Sequence, residues 1–176
     1  MKKLFSHPAS RFLLIAATSY CVWLILYYFV IKEYTNWDYY LDYSIVYISH
    51  SLFSLAGITT LIDIESDHVV LMLDRTNQIG VWVGDDCNGF KLFSIFAIFI
   101  LAFPGNWKTK LWFIPMGIIF IQIANVIRVM SLLLIYENYP AALDFNHKYT
   151  FTVFVYSVIF FLWLWWAKKY SNVKKI

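Results

Sequence analysis

The feature that most constrains this chain is the run at residues 12–31, FLLIAATSYCVWLILYYFVI, which has 20 residues and no charge. Wound as a helix it is about 30 Å long, the thickness of a bilayer's hydrocarbon core. The run is long and bulky and ends without a small-residue cleavage site, so it reads as an uncleaved anchor rather than a signal peptide. Four more apolar segments follow. Residues 44–62 are the weakest, holding Ser49, His50, Ser51, Ser54, Gly57, Thr59 and Thr60. The third segment, 87–103, is stopped by Pro104-Gly105. The fourth, 111–135, contains Gln122, Asn125 and Arg128, and the fifth is 148–167. Between the second and third, residues 69–73 and 79–83 flank the polar DRTNQ and predict a short β-hairpin.

Composition closes off the soluble alternatives. Of the 176 residues, 61% are hydrophobic and only 14% charged, against about a quarter charged in a soluble domain. The net charge of +3 is small, and its basic residues gather at the chain ends and in one loop, which argues against nucleic-acid binding. No linker or repeat divides the chain. The expectation is therefore one all-α integral membrane domain over 1–176, a multi-span helix bundle of four or five membrane segments with a short extracytoplasmic β-hairpin before Cys87. Cys21 and Cys87 are read as free thiols, since Cys21 lies inside the first span.

Lysine and arginine set the orientation. Lys2, Lys3 and Arg11, then Lys108 and Lys110, then Lys168, Lys169, Lys174 and Lys175 are nine of the fourteen basic residues. All nine share one side if 44–62 is a re-entrant or interfacial helix, and the positive-inside rule makes that side cytoplasmic. A full crossing at 44–62 breaks the pattern. With four crossings both termini are cytoplasmic, and the predicted home is the plasma (inner) membrane. The same count brings three residues to one outer plane. Cys87 begins a 17-residue segment about 26 Å long, Arg128 lies about 27 Å above Leu111, and His147 follows the outer loop 136–146.

These three side chains have complementary chemistry. A thiolate is the reactive form of cysteine, and a helix start or a nearby cation stabilises it. An imidazole takes the thiol proton and returns one to a leaving amine. A guanidinium in a span costs about 2.5–3.5 kcal/mol on insertion scales and needs a reason to be there; binding the oxyanion of an attacked carbonyl would supply one. Asn125 and Gln122 lie on neighbouring parts of the same helical side and are expected to hold Arg128 in place, while Asp85 or Asp86 caps the helix after Cys87. Each residue also has a structural reading. Cys87 could be a core thiol, Asn88-Gly89 a simple turn, Arg128 a snorkelling cation and His147 an interfacial residue, with His50 or His68 the base instead. His7 falls on the wrong side. Trp163, Trp165 and Trp166 read as an inner aromatic belt, and Asp63, Glu65, Asp67 and His68 as a solvated loop rather than a metal site.

At these positions the chain resembles the exosortase/archaeosortase family of membrane cysteine transpeptidases. The likeness rests on Cys87-Asn88-Gly89 before a membrane helix, Asn125-Val126-Ile127-Arg128 within the next, and His147 ahead of the last, over about residues 80–165. The family's cysteine motif is usually Cys-Ser-Gly, so Asn88 is a departure, and the chain is shorter than eight-span members. The resemblance implies a catalytic Cys87, Arg128 and His147, with Asn125, Asn88 and Gly89 in support and no metal or organic cofactor. It implies as partner an exported protein with a C-terminal motif, a transmembrane helix and a basic tail. That protein would be cleaved through a Cys87 thioester and passed to a polysaccharide or lipid acceptor, or to water. The competing expectations are a non-catalytic membrane subunit of an export machine and a small transporter; the latter is disfavoured because the inner halves of the spans carry almost no polar path.

Overall fold

The structure is a computed structural model describing residues 8–65, 68–74, 80–85 and 87–171. Helix α1 (Pro8–Leu26) continues through a π-helical turn at Tyr27–Ile31 into a last turn at Lys32–Tyr34. Helix α2 (Trp37–Leu55) leads into three strands, β1 (Thr60–Glu65), β2 (His68–Leu73) and β3 (Gly80–Val83). Helices α3 (Phe90–Ala102) and α4 (Trp107–Asn138) follow, and short turns from Pro140 run through a π-helical segment at Asn146–Thr150 into α5 (Phe151–Tyr170). Among the described residues three stretches are long and apolar enough to cross a membrane: Ser10–Tyr34, Trp107–Asn138 and Pro140–Tyr170. Helix α3, with 13 residues, is about 20 Å long and shorter than the hydrocarbon core.

The weak segment 44–62 divides differently from the expectation. Its helix starts earlier, at Trp37, and ends at Leu55, while Thr60 already belongs to β1. The stop is chemical. Gly57 takes a left-handed φ of 76°, its N–H bonds to Ser54 O, and the Ile58 N–H bonds back to Phe53 O at 2.9 Å. Those two bonds are the paired closure of a Schellman turn, which satisfies carbonyls at a helix end and lets the chain leave. Helix α2 buries Asp42, Ile45, Val46, Ser49 and Phe53, a helical stripe that faces protein rather than lipid.

The expected hairpin is a three-stranded antiparallel sheet in the order β1-β2-β3. Thr60 pairs with Leu73 and Glu65 with His68 on one side of β2, and Val69 with Val83 on the other. The DRTNQ turn, from residue 75 on, and Ile79 lie outside the described residues, as do Lys2, Lys3, Asp67, Asp86, Lys174 and Lys175. Asp63 and His68 therefore sit on strands instead of in a loop. Alternate residues of β2, namely Val69, Leu71 and Leu73, are buried, as the two-residue strand period requires. They form one core cluster with Ile45, Val46 and Phe53 of α2 and Val126, Val129 and Leu133 of α4.

A second cluster lies towards the other end of the bundle, where Phe96 and Ile100 of α3, Phe113 and Ile121 of α4, and Val155, Ile159 and Trp166 of α5 pack together. Trp166 is fully buried against Phe113, and Trp163 stacks on Phe12. Of the three tryptophans read as an interfacial belt, these two are packing residues and Trp165 is the exposed one. Lys110, counted among the loop cations, is also buried; its Nζ donates to Leu101 O at 2.8 Å and so satisfies a carbonyl at the end of α3. Gly105 bridges to Ser171. The α3–α4 loop and the end of α5 thus share one end of the molecule, opposite Cys87.

Candidate active site

Cys87 lies between β3 and α3, three residues before the helix begins. The chain turns there because the Cys87 N–H donates to Gly84 O at 2.6 Å. It turns again because Gly89 adopts φ 85°, a left-handed conformation that costs a side-chain-bearing residue about 1–2 kcal/mol. A Cβ on Gly89 would also lie 2.2 Å from Asn125 Nδ2. Asn88 is fully buried between these turns. Its Oδ1 accepts from the Phe90 N–H at 2.9 Å and its Nδ2 donates to Asp38 Oδ1 at 2.7 Å. Asp38 in turn accepts from the Tyr27 hydroxyl at 2.9 Å. The cysteine loop is therefore tied to α3, to α2 and to the end of α1.

The sulfur faces two of the residues named from sequence. His147 Nε2 lies 3.2 Å from Cys87 Sγ, carried on the π-helical turn ahead of α5. Arg128, buried on α4, donates from Nη2 to the same sulfur at 3.5 Å. A thiol, an imidazole and a guanidinium from three separate elements thus converge on one atom. A buried guanidinium needs a counter-charge or strong acceptors, and Arg128 finds an acceptor in this sulfur.

Several expectations about the surroundings change. Neither Asn125 nor Gln122 holds Arg128: Gln122 donates to Ser44 Oγ at 3.2 Å, tying α4 to α2, and both amide atoms of Asn125 are buried without a hydrogen-bond partner. Residues three apart on a helix also meet neighbours across the bundle, as Gln122 does. Arg128 Nε has no partner either. Asp85 does not cap α3. It forms an ion pair with Lys32, and Asn88 supplies the acceptor for Phe90 instead. His50 Nδ1 meets Thr60 Oγ1 at 2.7 Å and joins α2 to β1, away from the sulfur. His68 packs edge-on against Trp82.

Of the three cavities that reach His147, two border the reactive side chains. One, of about 360 Å³, is lined by Cys87, His147, Trp82, His68, Lys32 and Asp85. The other, about 340 Å³, lies between α3 and α5 and is lined by Arg128, His147, Lys91, Lys148 and apolar residues including Leu92 and Val155. The thiol therefore opens to a pocket walled by Trp82 and His68, and the arginine to a cleft along the helices. The sequence model of the family described as "Transmembrane exosortase" matches residues 5–169. The chain belongs to the transmembrane exosortase family. Neither the curated proteins nor the solved structures give a match.

Membership gives this exosortase, in general terms, a membrane transpeptidase- or protease-like role. The residues that sequence reasoning missed are those behind the cysteine loop. Asp42 on α2 is buried with Oδ1 unpartnered. Burial first, then the charges of Asp85 and Asp38, push its carboxyl up to about 7, while a hydrogen bond from the Asn88 side chain pulls the other way. The available signal was two carboxylates, Asp38 and Asp42, four apart in a segment otherwise rich in aromatic residues: that spacing places both on one helix face.

Proposed function

We propose that this exosortase is a cysteine transpeptidase or protease that cleaves the C-terminal sorting signal of exported proteins. The observation that supports it most is the convergence of His147 Nε2 and Arg128 Nη2 on Cys87 Sγ, at 3.2 and 3.5 Å. In this reading His147 takes the thiol proton, and Arg128 balances the charge left on sulfur. The thiolate attacks the scissile carbonyl, forming the S–C bond and an oxyanion. The guanidinium then turns its free donors towards that oxygen, since Nε has no partner at rest. Imidazolium protonates the departing amine as the C–N bond breaks, leaving the acyl group as a thioester on Cys87. An acceptor nucleophile or water then resolves the thioester, giving its proton to His147.

The substrate's transmembrane helix would lie against the cleft between α3 and α5, and the residues before the scissile bond would fill the pocket walled by Trp82 and His68. In the plasma (inner) membrane, with both termini cytoplasmic, this end of the bundle is the outer face. The test is co-expression with a protein bearing a C-terminal motif, span and basic tail. Wild type yields a shortened product; Cys87→Ala, at matched membrane levels, leaves the substrate full length. Unchanged processing by Cys87→Ala would refute the reading.

A further inference from the structure

Strand β3 is an edge of the sheet. It pairs with β2 on one side, and among the described residues Gly80–Val83 make no backbone hydrogen bond to any other segment. The third cavity that reaches His147, of about 280 Å³, lies against this strand. Its lining tells which side of the strand it occupies. Successive strand residues point to opposite faces, so a cavity over one face would touch alternate residues. This one touches Gly80, Val81 and Trp82 in succession and, among the described residues, none of β2; it therefore runs along the outer edge. Leu132 and Tyr136 of α4 and Leu143 of the following turns also line it. We infer that this groove binds the substrate polypeptide as an added β-strand on β3, through the residues just ahead of the scissile bond. The inference rests on the proposed function and says how that substrate is held.

The occupant is fixed by what the edge offers and by where it leads. An edge strand presents a row of backbone donors and acceptors, and the group that matches their spacing is another extended backbone. The edge leads to the reactive sulfur. Val83 is followed by Gly84, whose carbonyl accepts from the Cys87 N–H at 2.6 Å, so the strand ends one turn before the cysteine. Trp82 and His147 line both this groove and the pocket that holds Cys87, and His147 Nε2 is 3.2 Å from the sulfur. The groove and the pocket therefore adjoin at the site of attack. Direction follows as well. In the proposed binding mode the substrate's span follows the scissile bond into the α3–α5 cleft, which meets the groove at His147. The residues ahead of the bond then enter beside Gly80 and end at Cys87, parallel to β3. Along such a ladder every second residue of the added strand bonds to β3, and the residues between turn their N–H groups away.

The experiment co-expresses the full-length exosortase with a protein bearing a C-terminal motif, span and basic tail that wild type shortens. Mass spectrometry of the new C-terminus locates the cleavage site. Alanine and proline are then placed in turn at the second to sixth residues ahead of that site. Proline has no N–H, and one strand hydrogen bond is worth up to about tenfold in binding. Proline should therefore slow processing about tenfold more than alanine at every second position and match alanine between. Proline no worse than alanine throughout, or losses without alternation, would overturn the inference. On the enzyme, Leu143→Trp fills the groove and should slow processing by about the same tenfold. Cys87 of this variant should still be alkylated by iodoacetamide at the wild-type rate, which separates a blocked groove from a damaged site. Wild-type processing by a folded Leu143→Trp would overturn the inference, and a lost dimer in that variant would give the edge to a second copy of the chain. If wild type shortens no such protein, the function reading fails and the strand inference falls with it. Shortening without the proline alternation defeats the strand inference alone.

Discussion

Arg128 holds its guanidinium against a sulfur and leaves Nε without a partner, and the catalytic role proposed for it makes demands that a snorkelling cation does not. A snorkelling side chain needs charge and length, which lysine has; a group that must serve sulfur and oxyanion in turn needs the planar fork, which lysine lacks. Arg128→Lys is therefore expected to insert and fold but to slow processing by at least about tenfold, the cautious end of the loss for an oxyanion donor, measured as a time course at matched enzyme levels. Wild-type rates would remove arginine from the site. Asp42 carries a second prediction at this scale. Its folded carboxyl is raised to about 7 from an ordinary value of 3.8, so the native state holds its proton more tightly than the unfolded chain. The stability gained from that proton is full below about pH 4 and is lost as the pH rises through 7. Asp42→Asn abolishes the titration, and the unfolding midpoint of the variant should gain on wild type from pH 5 to about pH 7 and then level off. A constant difference across that range would show that Asp42 keeps an ordinary carboxyl. The three converging side chains were legible in the sequence because each is a reactive or charged group set where apolar residues are expected. Their support was not, since Tyr27, Asp38 and Asn88 meet through bonds between distant segments that leave no local pattern.

The cysteine loop is held between a left-handed glycine and an orphaned amide. Gly89→Ala adds about 1–2 kcal/mol of backbone strain and drives a methyl into Asn125, so it should cut processing strongly and lower the unfolding midpoint. Asn125→Ala frees the space, and the double variant should recover part of the stability while the backbone strain remains. Additive effects in the double-mutant cycle would mean that the two residues do not touch in solution. Asn88 carries an acceptor and a donor on separate atoms, and both are used, towards Phe90 and Asp38. Strand β1 was hidden for a different reason. Its first residues continue the apolar run of α2, and hydrophobicity alone does not separate a buried helix from a buried strand. Gly57 marked the break, but one glycine in a run of small residues was read as part of it.

Across the whole molecule the bundle was legible because lipid forces a long uncharged segment to be helical; the sheet wedged between α2 and α4 was only half so, because packing against two helices is a long-range fact. The two thiols make the topology measurable. Cys21 is on the exposed surface of the first span and Cys87 lines a cavity at the other end of the bundle from the α3–α4 loop, so a membrane-impermeant thiol reagent on intact cells should label Cys87 and spare Cys21. Labelling only after permeabilisation would reverse the orientation. The claim on which everything else depends is the acyl bond at one sulfur. Purified exosortase mixed with its substrate protein and quenched in acid should yield a Cys87 peptide carrying the acyl fragment of the substrate, released by neutral hydroxylamine and missing in Cys87→Ala. A processed substrate alongside an unmodified Cys87 peptide, with Cys87→Ala still active, would contradict the account.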